Sequence, residues 1–292
     1  MKNKKVLSRP KTSDSENRLQ AQGSMSIEQD SQKCLEKLAR ATQALNLGIP
    51  QTQLAKIAKL IVQTMTGPWR CFHSPDHVFA VGNSGDPIEV LAALFHDIVY
   101  VQVDGSINFN LTYYVVAFIE EERGQLSIRD REDLPEDRTF EMVAAIFNFS
   151  PGQGLSPYSG QNEFLSAIVA AKVFESWASP SLLAQIIACI EATIPFRAKN
   201  ELGVSASETL YQRLHLVNEQ LELCLSEADL IETVKKAVRM SNRDVEGFAH
   251  NNSAVFLDNT WNLLPETNHN LQKSGSYTVR DYRTAIQKMA GF

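Results

Sequence analysis

A chain of 292 residues, 43% of them apolar, is long enough to bury one large core. Its formal net charge of −6 argues against a general binder of nucleic-acid backbones, which works through massed Lys and Arg, although a small phosphorylated ligand in a local basic cleft stays open. The four cysteines, Cys34, Cys71, Cys189 and Cys224, have no close pair, which argues against a disulfide framework or a thiolate zinc site and points to a reducing, cytoplasmic compartment.

Residues 1–26 are rich in Lys, Ser, Gln and Asn and nearly lack large apolar side chains. They are read as a disordered tail, because the surface they could bury does not offset the entropy of ordering them. The lysines at the start are followed by no apolar stretch, so a secretory signal is not expected. No apolar run approaches the ~20 residues of a bilayer span, so no membrane partner is expected either. One domain is expected over 27–292. Apolar residues recur at three- and four-residue steps through Cys34, Leu35, Leu38, Ala41 and Leu45, and again through Leu54, Ile57, Ala58, Ile61 and Val62. These are two amphipathic helices, separated by Gly48-Ile49-Pro50.

Gly67-Pro68 then breaks the chain ahead of Cys71, read as a small buried hydrophobe, and ahead of Phe72-His73-Ser74-Pro75-Asp76-His77-Val78. Pro75 is tolerated only in the first turn of a helix, so a helix is predicted to start near Ser74 and carry His77, with His73 just before it. Asp86-Pro87-Ile88-Glu89 combines an N-cap, a proline at the first helical position and a glutamate placed for a capping box. The helix it opens should deliver His96 and Asp97 near its C-terminal end. After a polar loop from Asp104 to Asn110, an apolar helix through Tyr113, Val116, Ala117 and Ile119 is expected to run into Glu120-Glu121-Glu122 as a solvated end. Further helices are predicted at Thr139 to Phe147, Glu163 to Trp177, Ser181 to about Thr193, Glu208 to Cys224, Ala228 to Val245 and Tyr277 to Met289, the last after a looser Asn-rich stretch. Strand signals are few, and neither an internal repeat nor a glycine-rich phosphate loop occurs. The reading is an all-α domain.

Three of the six histidines, His73, His77 and His96, stand close together in this stretch. His96 and Asp97 lie inside the apolar run Leu91 to Tyr100, where a carboxylate without a partner is strongly disfavoured. A divalent cation is the simplest partner for both, and imidazole mixed with carboxylate suits zinc, manganese, iron or magnesium. The plain alternative is a hydrogen-bonded core histidine beside a local cap. Further on, the apolar Ile186 to Ile190 ends in Glu191, Pro195 and Arg197. A helix end facing a pocket would let Glu191 orient a water on the cation and Arg197 hold a phosphate bidentately. The alternative there is ordinary helix termination with an exposed arginine.

The pattern His73-x3-His77 followed by His96-Asp97 resembles the HD superfamily of metal-dependent phosphohydrolases, and within it the cyclic-nucleotide phosphodiesterase-like branch, over about residues 65 to 250. The resemblance implies an all-helical fold. It implies a metal held by His77, His96 and Asp97, with Asp97 able to bridge two ions and His73 as proton donor to the leaving oxygen. It also implies a distal aspartate just ahead of Ser-Asn, but Ala237-Val238-Arg239-Met240-Ser241-Asn242-Arg243-Asp244 places Arg239 there. A guanidinium is always charged and has no acceptor, so it cannot bind a cation, although it could draw a phosphate. Asp244 and Asp229 are roughly 22 Å apart along one helix and cannot serve one ion together. Asp244, nearer Ser241-Asn242, is taken as the fourth ligand. The activity implied is hydrolysis of a small phosphoester such as a nucleotide, and a homo-oligomer is compatible with it. The rival is a catalytically degenerate module that keeps the scaffold to bind a phosphorylated ligand or a protein partner. A di-iron oxygenase of the same fold would need further histidines.

Overall fold

The all-α expectation holds: this computed structural model describes residues 13–67, 69–267 and 278–289, and thirteen α-helices form among them. Helices α1 (Ser13–Ala44) and α2 (Gln51–Met65) join along their apolar stripes, burying Cys34, Leu38 and Ala41 with Leu54, Ile57, Ala58, Ile61 and Val62. Of the tail expected over 1–26, positions 1–12 lie outside the described residues, and the backbone of α1 runs through the rest. Short helices α3 (Pro75–Val81) and α4 (Pro87–Phe95) follow, then α5 (Val101–Asp104) and α6 (Phe109–Val115). Two strands, β1 (Ile119–Glu122) and β2 (Gln125–Ile128), come next. The remainder is α7 (Arg138–Phe147), α8 (Gln161–Phe174), α9 (Pro180–Glu191), α10 (Ala206–Gln220), α11 (Glu227–Asp244), α12 (Ser253–Thr267) and α13 (Val279–Met289).

The core is built around α4. Val90 to Phe95 are all buried, so the helix is enclosed on every side, as expected of one that is apolar all round. It packs on α1, α3, α8, α9 and α11. Fully buried side chains such as Leu94, Phe95 and Ile98 each contribute about 1.5–3 kcal/mol. A central helix of this kind delivers whatever follows it into the interior, and His96 and Asp97 follow it.

Three expectations are corrected. The acidic triplet is an exposed strand rather than a helix end: β1 pairs antiparallel with β2, Ile119 opposite Ile128 and Glu122 opposite Gln125. Arg123 and Gly124 both take positive φ, 54° and 82°, which is the two-residue turn whose twist matches paired strands. The Asn-rich stretch contains α12, despite Pro265 inside it. At the start of α4, Asp86 accepts from the Ile88 and Glu89 amides as expected, but Glu89 does not complete a capping box. Its carboxylate accepts from Ser84, Arg239 and Arg243, while the Asp86 amide donates to Ser84 Oγ at 3.1 Å. Among the described residues, no helix is long and apolar enough to cross a membrane.

Candidate metal centre

Three separate elements converge at the end of α4. Ser74 caps α3 and Pro75 takes its first position, which sets His77 in the first turn as the sequence predicts. His96 is the C-cap of α4, Asp97 is the next residue, and Asp244 ends α11. One donor atom from each of His77, His96, Asp97 and Asp244 lies within 4.8 Å of the other three. His77 Nε2 is 3.0 Å from Asp244 Oδ1 and 3.2 Å from Asp97 Oδ2. His96 Nε2 is 2.9 Å from Asp97 Oδ2 and 3.2 Å from Asp244 Oδ1.

Both histidine Nε2 atoms face both carboxylates, and each is hydrogen-bonded to Asp244 Oδ1. Asp97 Oδ2 is buried yet accepts no aligned hydrogen bond, although two imidazole nitrogens stand at bonding distance. His96 Nδ1–H donates to the Ala93 carbonyl at 2.8 Å, which fixes the ring and leaves Nε2 as its ligating nitrogen. Two neutral imidazoles and two carboxylates also balance the charge of a divalent cation. The residues present therefore fit such an ion.

Without a cation, protons take its place. Burial works against a charged His77, but its hydrogen bond to Asp244 and the negative charges of Asp244 and Asp97 override it and lift the imidazole to about 9. His96 is raised well above its ordinary value by the Asp97 and Asp244 charges, again against burial. Burial also opposes the carboxylates, yet the His96 charge and the contacts with His77 draw Asp244 down to about 2. Asp97 is held well below the usual range by His96 and His73 in the face of the same penalty.

Arg70 secures the turn that carries Asp97. Its buried guanidinium donates from Nη1 to the Asp97 carbonyl at 2.6 Å and from Nη2 to the Ile98 carbonyl at 3.1 Å. It also grips Asp104 of α5 through Nε at 3.0 Å and Nη2 at 2.6 Å. His73 stands beside the four donors, its ring 5.8 Å from that of His77 and stacked on Tyr100 at 4.2 Å. Its Nδ1–H donates to Glu266 Oε2 at 2.5 Å. The other oxygen of Glu266 accepts from the Cys71, Phe72 and His73 amides at 2.7, 2.7 and 3.0 Å. Burial would raise the Glu266 carboxyl, but His73 and these amides lower it below the ordinary value. Cys71 itself is exposed rather than a buried hydrophobe, because the amides around it face Glu266 and its side chain points outward.

The remaining expected residues serve elsewhere. Arg239 lies about 140° around α11 from Asp244 and pairs with Glu89 at 2.8 Å and Glu232 at 3.1 Å, so it ties α11 to α4 instead of sitting among the donors. Glu191 and Arg197 are joined to each other: fully buried Glu191 accepts from Arg197 and from Arg213, each at 2.5 Å. No described contact brings either to the four donors. Asp229 closes a capping box with Ser226 at the start of α11. Sequence reasoning missed Arg70, Tyr100 and Glu266. No family model, no curated protein and no solved structure matches this chain.

Proposed function

We propose that the protein is a metal-dependent hydrolase of small phosphoesters, of the HD type that the histidine–aspartate pattern suggests. The observation that supports this reading is Asp97 Oδ2, a buried carboxylate oxygen lacking an aligned donor and grouped with two histidines and a second aspartate, an arrangement that suits a cation. A divalent cation there supplies polarisation of a phosphoryl oxygen and lowers the pKa of nearby water toward ~7. His77, His96, Asp97 and Asp244 hold it. His73 has Nδ1 committed to Glu266, so Nε2 is the nitrogen left to give a proton to the leaving oxygen. Glu266 fixes the ring's tautomer, and the Tyr100 face holds its plane.

Protein purified without chelator should contain roughly one equivalent of a transition metal by mass spectrometry, and His96→Ala and Asp97→Ala should each lose it. Assayed against cyclic nucleotides, nucleoside monophosphates and bis(4-nitrophenyl) phosphate, the loaded protein should cleave at least one. Full metal content in both variants overturns the site. A loaded protein that cleaves none of them turns the reading to a module that binds phosphorylated ligands.

A further inference from the structure

Asp244 belongs to α11, while its neighbours in the cluster belong to α3 and to the end of α4, so the cluster is only as well set as those three helices are relative to one another. The residue before Asp244 joins all three. Arg243 Nε donates to the Val81 carbonyl at 2.9 Å, and its Nη2 donates to Glu89 Oε2 at 2.5 Å. Val81 is the last residue of α3, and Glu89 stands in the first turn of α4. One guanidinium from the last turn of α11 therefore spans the helices that carry His77, His96 with Asp97, and Asp244.

Each end of this fork meets a group that needs it. Carbonyls in the last turn of a helix lack partners within the helix, and the helix dipole favours a cation there. Helix α3 has no basic residue of its own in that turn, so Arg243 supplies the charge. The buried Glu89 carboxylate would be strongly disfavoured without a partner. Arg239 and Ser84 also bond to it, so the tie to α4 is shared. The tie to α3 is not. Of the α11 cations paired with α4, Lys236 reaches Asp86 and Arg239 reaches Glu89, and among the described contacts Arg243 alone continues to α3. A planar fork fixes direction as well as distance. Positions 243 and 244 are about 100° apart around α11, so seating Arg243 on both partners sets the rotation of the last turn and with it the direction of Asp244. His77 lies about 6 Å along α3 from Val81 at ~1.5 Å per residue, so the anchored carbonyl and the histidine belong to one short rigid piece.

We propose that Arg243 is a positioning residue for the metal centre, holding Asp244 against His77 and His96 so that one cation can meet all four donors. The role rests on the metal reading above. No described contact joins the guanidinium to the four donor atoms, so Arg243 acts through the placement of α11 and α3.

The test compares wild type, Arg243→Met, Arg243→Lys and Arg239→Met. Co(II) affinity is read by competition with a chromophoric chelator and the ligand field by visible absorption, with folding checked by circular dichroism. Arg239→Met is the matched control, since it also takes a bond from Glu89 but leaves the bond to α3 in place. Arg243→Met should bind Co(II) about 10- to 100-fold more weakly, the usual effect of losing an outer partner of a metal site, with altered visible bands. Arg243→Lys, which keeps the charge without the fork, should fall between Arg243→Met and wild type. Arg239→Met should match wild type in both readings. Wild-type affinity and bands in Arg243→Met overturn the role, and so does an equal loss in Arg239→Met, which makes general helix packing the cause. If Arg243→Met does not fold, Arg243→Lys decides, and wild-type affinity and bands there overturn the role. A wild type that binds no Co(II) overturns the metal reading itself and the role with it.

Discussion

His73 and His77 are four residues apart in sequence and differ in what each touches. His77 faces two carboxylates at 3.0 and 3.2 Å, whereas His73 is bound through Nδ1 to Glu266. His73→Ala should therefore keep the metal and lose about 10²- to 10⁴-fold in turnover, while His77→Ala loses both; metal analysis beside kinetics separates them. The defect of His73→Ala should shrink on a nitrophenyl ester, whose leaving oxygen needs little protonation. The four-residue spacing and the polar pair inside an apolar run made His73, His77, His96 and Asp97 legible in the sequence. Asp244 was legible for a better reason than its nearness to Ser241-Asn242. Leu230, Thr233, Ala237 and Met240 form the buried stripe of α11, and the next step along it is Asp244, not Arg239. Glu266 left no such mark, since it lies in a stretch that lacks clean periodicity.

At the scale of elements, α4 and its exit turn are the part most sensitive to change. The Arg70 side chain is fully buried and its partner Asp104 nearly so. Removing one member of such a pair costs about 3–5 kcal/mol, since the other charge is left without a partner. Arg70→Leu should lower the unfolding free energy by an amount of that order, read as a lower urea midpoint at unchanged slope, and metal affinity should fall with it because the Asp97 carbonyl loses its donor. Helices with a steady apolar stripe, α2, α7 and α11 among them, were readable to within a few residues. The β1–β2 hairpin was not: its apolar residues, Ile119, Leu126 and Ile128, are too few to separate a period of two from one of 3.6. Arg123-Gly124 was the available signal, and it is weaker than Asn-Gly.

For the whole molecule, the site links stability to pH in opposite directions on its two sides. In cation-free protein, His77 has a folded pKa raised to about 9, so its contribution is complete below its ordinary 6.5 and is lost as the pH rises toward 9. Asp244, drawn down to about 2, contributes fully above its ordinary 3.8 and loses this as the pH falls toward 2. In chelator-treated protein the stability that His77 and Asp244 contribute should therefore be greatest between about pH 4 and 6.5 and decline on either side, while the Glu163 carboxyl, pushed up by burial to about 7, takes stability away as the pH rises from about 4.5. Because a cation must displace the protons on His77 and His96, its affinity should rise from pH 6 to 9. At 100 times its dissociation constant it adds about 2.7 kcal/mol, so chelator should lower the melting temperature, and more so at pH 8 than at pH 6 for a fixed metal concentration.

The donors also differ greatly in when they are made. Asp244 stands 148 residues beyond His96, the last of the histidines in the site. At a synthesis rate of about 5–20 residues per second, that interval lasts roughly 7–30 s. Throughout it the nascent chain carries two imidazoles and one carboxylate without the fourth donor. On the metal reading proposed above, the full set of four would exist only once the end of α11 docks, so the order of translation would put metal capture late in folding.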